Sequence, residues 1–378
     1  MAVPPDKSPL GEVFQFFLRL GLTAFGGPAA HIGLMQHEVV ERRRWMSRER
    51  FLDLVGACNL LPGPGSTQVA MALGYGRAGW MGLAVAGVCF ILPASLATLG
   101  LAWAYVRFGS LPQAQGLLYG AKPVMVAIIV QAVWKLGRTA FRGWAMVLAG
   151  LACLAAVLAG MPPIAVLLMS GGIFLLIEWR RSNSGAILSL AGVPFGLSGA
   201  AAGAVGLASL FFVFLKLGVV VFGSGYVLVA FLKADLVDRL HWITEPQLLD
   251  AITAGQLTPG PVFATATFLG YLLRGWTGAA LATVAIFLPS FLMAGAVGAL
   301  ADHIRKSKLA AAFLDGVNAA AVALMASVVL VLGRTTLVDG WTWALGLGSV
   351  VLLLRFKINA TWLILAGAAI GVLLHAIA

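Results

Sequence analysis

The chain has 378 residues, of which 61% are hydrophobic and only 10% charged, against roughly 25% charged in an ordinary soluble domain. So few charges cannot cover a water-facing surface of this size, and a mean hydropathy of +0.97 makes lipid the solvent. The net charge of +11 sits in short loops between apolar runs with no basic, aromatic-interleaved patch, which excludes a nucleic-acid surface and suits membrane topology.

The opening MAVPPDKSPLGEVF lacks a basic n-region and a small-residue cleavage site, so no signal peptide is read there. A first apolar span covers about 10–35. It carries Arg19 and His31 and is interrupted by Gly26-Gly27-Pro28. After a basic amphipathic loop over 36–50 come two short apolar arms, 51–61 and 64–76, which meet at Pro62-Gly63-Pro64. A crossing helix needs about 20 apolar residues. Each arm is shorter, so the pair reads as a re-entrant helical hairpin, which requires protein or a water cavity around it. Spans follow at 79–106, 113–134, 143–159 and 162–179, and a Gly-rich linker at 182–206. The pattern then repeats: a span at 207–232, arms at 248–258 and 261–273 around Pro259-Gly260-Pro261, and spans at 276–301, 309–333, 341–354 and 358–377. The fold class is an all-α polytopic membrane protein of two homologous halves, 10–181 and 207–378. Each half has five transmembrane helices plus one re-entrant hairpin.

The halves are similar residue by residue. Positions 18 to 64 align with 215 to 261 without a gap: Leu18-Arg19-Leu20-Gly21 with Leu215-Lys216-Leu217-Gly218, Phe25-Gly26 with Phe222-Gly223, Trp45 with Trp242, Asp53 with Asp250, Asn59 with Gln256. One residue is lost in the second half, and Leu73-Gly74-Tyr75 then pairs with Leu269-Gly270-Tyr271, Pro93 with Pro289, and Gly120 with Gly316. Paired halves in a membrane chain mark a secondary transporter or channel. An odd number of spans per half, with a linker that does not cross, gives the halves opposite orientation. With the N-terminus outside, Arg42, Arg43, Arg44, Arg48, Arg50, Arg77, Arg180 and Arg181 fall on the cytoplasmic side, as the positive-inside bias requires. A spanning 186–206 would instead make the halves parallel.

Ionisable groups inside a span are costly and point to function. Arg19 and Lys216 stand at matched positions, where two cations suit a dianion; snorkelling to an interface is the competing reading. Lys122 is matched by Asn318, and both donate hydrogen bonds. Pro64 and Pro261 suit the first turn of the returning arms. Helix N-termini there offer free N–H groups and a positive partial charge to an anion. Gly63, Gly65 and Gly260 let the backbone approach a ligand, and Ser66, Thr67, Gln68, Thr265 and Thr267 supply hydroxyl and amide donors. Gly26, Gly27, Gly223 and Ser224 break the first spans at matched places, the pattern of discontinuous transporter helices. Asn59 and Gln256 read as polar groups at the hairpin tips. Asp53 and Asp250 serve as ion-pair partners of Arg19 and Lys216, as arm-end salt bridges, or as proton carriers. His31 is either a satisfied buried histidine or a proton carrier.

No metal cluster, catalytic motif or phosphate-binding Walker A loop occurs, and Cys58, Cys89 and Cys153 form no CxxC pair. No cofactor is expected, and catalysis is not.

At Phe25-Gly26-Gly27-Pro28, Asn59-Leu60-Leu61-Pro62-Gly63-Pro64, Gly79-Trp80 and Leu314-x-Gly316-Val317-Asn318 the chain resembles the chromate ion transporter family in its long two-domain form. The resemblance covers about 10 to 377. It implies efflux of chromate across the bacterial inner membrane, with resistance as the consequence and sulfate as a natural competitor. Proton coupling and a homodimer stay open. The second half departs from Gly-Gly-Pro with Gly223-Ser224-Gly225, which leaves open whether both halves contact substrate equally.

Overall fold

The computed structural model describes residues 8–109, 111–182, 205–222, 225–356 and 358–377, without the side chains of 296–306. The linker at 183–204, and with it the reading of 186–206 as a span, lies outside the described residues, as do Gly223 and Ser224. The described chain is helical throughout. The first half contains α1 (Pro9–Thr23), α2 (Gly27–Gln36), α3 (Arg48–Asn59), α4 (Gly65–Phe108), α5 (Pro112–Ala140), α6 (Trp144–Leu158) and α7 (Pro163–Ser182). The second repeats them in order as α8 (Leu207–Val220), α9 (Val227–Leu232), α10 (Glu245–Leu257), α11 (Thr265–Lys306), α12 (Lys308–Thr336), α13 (Gly340–Arg355) and α14 (Ala360–Ile377). Their starts follow from capping: Ser8, Ser47 and Ser307 each accept a first-turn N–H, and Thr244 with Gln247 closes a capping box on α10.

The structure corrects the sequence reading at the first span of each half. An unbroken helix would hold Phe16 and Trp45 about 43 Å apart at 1.5 Å per residue. Their rings are 5.9 Å apart, and Glu12 meets Arg77 at 2.8 Å. The chain therefore reverses between α1 and α2. It does so at Gly26 and Gly27, whose φ values of 103° and 77° lie where a Cβ is disfavoured. Lys216 of α8 likewise reaches Asp235, just past α9, in an ion pair. Residues 10–35 and 207–232 are thus further hairpins, not spans, and the start of α1 lies on the same face as Arg43, Trp45 and Arg77. The outside placement of the N-terminus is overturned with the span that required it.

The arms around Pro62-Gly63-Pro64 and Pro259-Gly260-Pro261 are hairpins as read. Within α4 the backbone leaves helical geometry at Ala78 and Gly79, and within α11 at Arg274 and Gly275. Gly74 there packs on the Gly82 carbonyl and Ala86, and Gly270 on Gly278 and Ala282. Contacts eight and twelve residues apart require the helix to fold back sharply. The returning arm and the following span are therefore antiparallel neighbours.

Five helical stretches are long and apolar enough to cross a membrane: Gly65–Phe108, Pro112–Ala140, Pro163–Arg181, Val262–Gly295 and Lys308–Thr336. Helices α6, α8, α13 and α14 are apolar but shorter. Equivalent helices of the two halves meet head to tail. Along the α4–α11 seam Trp80 packs near Gly295 and Gly87 near Phe291, so residue numbers rise on one helix as they fall on the other. Inverted repeats require that arrangement. The halves also interleave: α5 lies against α13 and α14, and α12 against α6 and α7. Gly116, Gly120, Gly367 and Gly371 let α5 and α14 touch backbone to backbone, and Gly316 and Gly171 do the same for α12 and α7.

Candidate anion site at the hairpin tips

Three hairpin tips meet, beside Val221 and Gly225 of the second half's first hairpin. The N–H of Gly63 donates to the Val221 carbonyl at 2.6 Å, and the N–H of Gly260 to the Ala24 carbonyl at 2.9 Å. Gly63 and Gly260 are repeat partners, as are Ala24 and Val221, so each Pro-Gly-Pro tip is tied to the first hairpin of the other half. Both glycines have left-handed φ, 110° and 96°. A Cβ on Gly63 would stand 2.9 Å from the Gln68 amide nitrogen and 3.0 Å from Ser290 Oγ, and one on Gly260 would stand 2.8 Å from the Ala94 Cβ. Only glycine satisfies both the torsion and the space.

Between the tips is a cavity of about 30 Å³ lined by Pro28, Ile32, Asn59, Pro64, Gly65, Ser66, Gly225, Pro261, Val262 and Phe263. Pro64 caps the start of α4 and Pro261 the short helical turn Val262–Ala264 that leads into α11. With α2 beginning at Gly27, three helix N-termini point into one small region. First-turn N–H groups have no partner inside their own helix, and each N-terminus carries roughly half a positive charge. The hydroxyls of Thr67, Ser95 and Ser290 are buried without a hydrogen-bond partner among the described residues and can donate to an anion. Such groups cost free energy unless satisfied. The arrangement suits an anion that accepts several hydrogen bonds without a countercharge in contact.

Of the residues read from sequence, Asn59, Pro64, Gly65, Ser66 and Pro261 line this cavity. Pro62, Gly63, Pro259 and Gly260 build its tips, and Gly26 and Gly27 make the reversal beside it. Gly27 lies against the Tyr226 hydroxyl. Gln256 is buried one turn before its tip, and Thr67 is buried in the first turn of α4. Gln68 reaches back to the Pro62 carbonyl at 2.6 Å. Thr265 and Thr267 are instead occupied, by the Val262 carbonyl at 2.8 Å and by Thr283 at 2.7 Å. His31 is fully buried, with Nδ1 3.3 Å from Ser66 Oγ and Nε2 3.2 Å from the Ala24 carbonyl. It links the end of α1 to the start of α4.

The cations stand elsewhere. Arg19 is exposed on α1, and its side chain makes no hydrogen bond or ion pair among the described residues, while its carbonyl accepts from the Thr23 hydroxyl at 2.7 Å. Lys216 is held by Asp235, which also accepts from Arg239 at 3.0 Å. It lines a separate cavity of about 1140 Å³ between α8, α12 and the α6–α7 turn. Asp250 pairs with Lys122 at 3.1 Å and accepts from the Tyr105 hydroxyl at 3.0 Å, rather than meeting Lys216. Asp53 is exposed on α3, and Asn318 is half-buried on α12. Three lining residues, Ile32, Val262 and Phe263, and the buried Ser95 and Ser290 were missed. Apolar residues in an apolar sequence carry no signal, and a serine within a span reads as packing.

A family model described as "Chromate transporter" matches this chain twice, over 11–175 and 208–372. The chain is 34% identical to a chromate transport protein of Cupriavidus metallidurans, over 97% of this chain and 96% of that one. It is 33% identical to a probable chromate transport protein of Synechococcus elongatus, over 89% and 88% of the two chains. It is 32% identical to a chromate transport protein of Pseudomonas aeruginosa, over 89% and 83%. No solved structure matches it. A double match that accounts for both halves of an inverted helical repeat leaves one conclusion: the chain is a multi-pass membrane protein of the chromate transporter family, in its two-domain form.

Proposed function

We propose that this protein is a secondary transporter that exports chromate, a sulfate-like tetrahedral dianion, across the bacterial inner membrane and so confers chromate resistance. The observation that carries this reading is the meeting of three helix N-termini and unsatisfied hydroxyls at the interlocked hairpin tips. The tip cavity of about 30 Å³ is small, so a bound oxyanion is held closely by the tips and leaves when they part. Binding and movement are then one event, as a carrier needs. Arg19, exposed below the tips, gathers the anion by its field rather than by contact.

An inside-negative potential favours dianion exit by about 2.3 kcal/mol per charge per 100 mV, and proton exchange would add to it. Both halves of the tip cluster come from one chain, so the site needs no second copy. Chromate is taken from the names of the relatives; sulfate shares its charge and shape, and competition separates the two. The test is uptake of labelled chromate and sulfate into inverted vesicles, with and without a pH gradient. Saturable chromate uptake that sulfate displaces only in excess supports the reading. Preferred sulfate uptake reassigns the substrate, and linear, unsaturable flux makes the protein a channel.

A further inference from the structure

The two halves are equivalent in sequence but not in environment. In the second half α10 packs on α5 and α14, and α9 on α12. In the first half α3 and α2 make no comparable seam with α12 or α5. Matched residues record the difference. Leu249 is 1% exposed and its partner Leu52 51%; Phe231 is 1% exposed and Leu34 45%. Asp250 is 4% exposed, whereas Asp53 is exposed. The flank of α3 that carries Leu52 and Asp53 is therefore open, where the matched flank of α10 is covered. That flank lies on the face that holds Arg43 and Trp45.

Resting on the transport reading above, we infer that the protein has a second arrangement in which the roles of the halves exchange: α2 and α3 seat on α5 and α12 with Asp53 against Asn318, while α10 lifts and Asp250 leaves Lys122. The repeat supplies the geometry. Asn318 is the partner of Lys122 and Asp53 the partner of Asp250, so the exchange moves each acid onto the matched donor. In the present arrangement the ion pair of Lys122 and Asp250, with Tyr105, ties α10 to α5 and α4. In the other, a carboxylate–amide hydrogen bond ties α3 to α12. The tip contacts of Gly63 with Val221 and of Gly260 with Ala24 are already shared between halves, which makes them the pivot. The two latches differ in kind, a charged pair on one side and a neutral donor on the other.

Cysteine chemistry in native membranes tests this, on a chain with Cys58, Cys89 and Cys153 replaced by alanine. Asp53→Cys with Asn318→Cys should cross-link with a short bifunctional thiol reagent, although the present arrangement leaves α3 unseated on α12. Single reporters, Leu52→Cys and Leu249→Cys, lie outside the tips. Once the 53–318 cross-link is set, an impermeant maleimide should lose its reaction with Leu52→Cys and gain reaction with Leu249→Cys from the opposite face. No 53–318 cross-link, or a cross-link that leaves both labelling patterns unchanged, overturns the inference. The readout needs no substrate, so cross-linking and exchanged labelling without chromate uptake would sink the substrate assignment alone.

Discussion

Gly63 and Gly260 bear the tightest constraints at the tips, since each combines a left-handed φ with a neighbour inside 3.0 Å of a would-be Cβ. Gly63→Ala or Gly260→Ala is expected to abolish transport while the chain still reaches the membrane. Left-handed backbone strain of about 1–2 kcal/mol distorts a tip without unfolding a helical bundle. Immunoblotting of membranes beside vesicle uptake checks both parts. At the Lys122–Asp250 pair the order of effects is the test. Removing one partner leaves a buried charge at a cost of about 3–5 kcal/mol, so Lys122→Met should lower the detergent melting temperature sharply, and adding Asp250→Asn should recover part of the loss. The tips were legible in sequence because Pro-Gly-Pro occurs twice at one spacing. The pairing of charges was not: whether Asp250 meets Lys122 or Lys216 depends on which helices are neighbours, and both acids had several candidates.

Among the elements, hairpins and spans look alike to hydropathy, which measures length and apolarity and not direction. The 13-residue returning arm is too short to cross and so separates from the span that follows, and the reversals between them fall at Gly79 and Gly275. The reversal at Gly26-Gly27-Pro28 reads in sequence as a break within a span, since the combined length of α1 and α2 suits a crossing. The small-residue seams were legible only as glycine content. Gly120 meets the backbone of Gly367 and Gly371, so Gly120→Leu should prevent α5 and α14 from closing. The expected outcome is loss of folded protein from membrane extracts. The same substitution at Gly333, which has nothing within 4 Å, should leave yield unchanged, and fluorescence-detected size exclusion compares the two.

For the whole molecule the repeat was the clearest message of the sequence, and the interleaving of α5 with α13 and α14 was its least visible consequence. Antiparallel seams between equivalent helices make the halves inverted. Sequence equivalence is blind to conformation, so the unequal burial of α3 and α10 emerged only in three dimensions. Uptake of labelled chromate into inverted vesicles addresses the central claim most directly, by comparing wild type with Gly63→Ala under an imposed membrane potential. Saturable, potential-driven uptake that disappears in the variant is the expected result. Uptake that persists undiminished in Gly63→Ala would contradict a binding site at the tips.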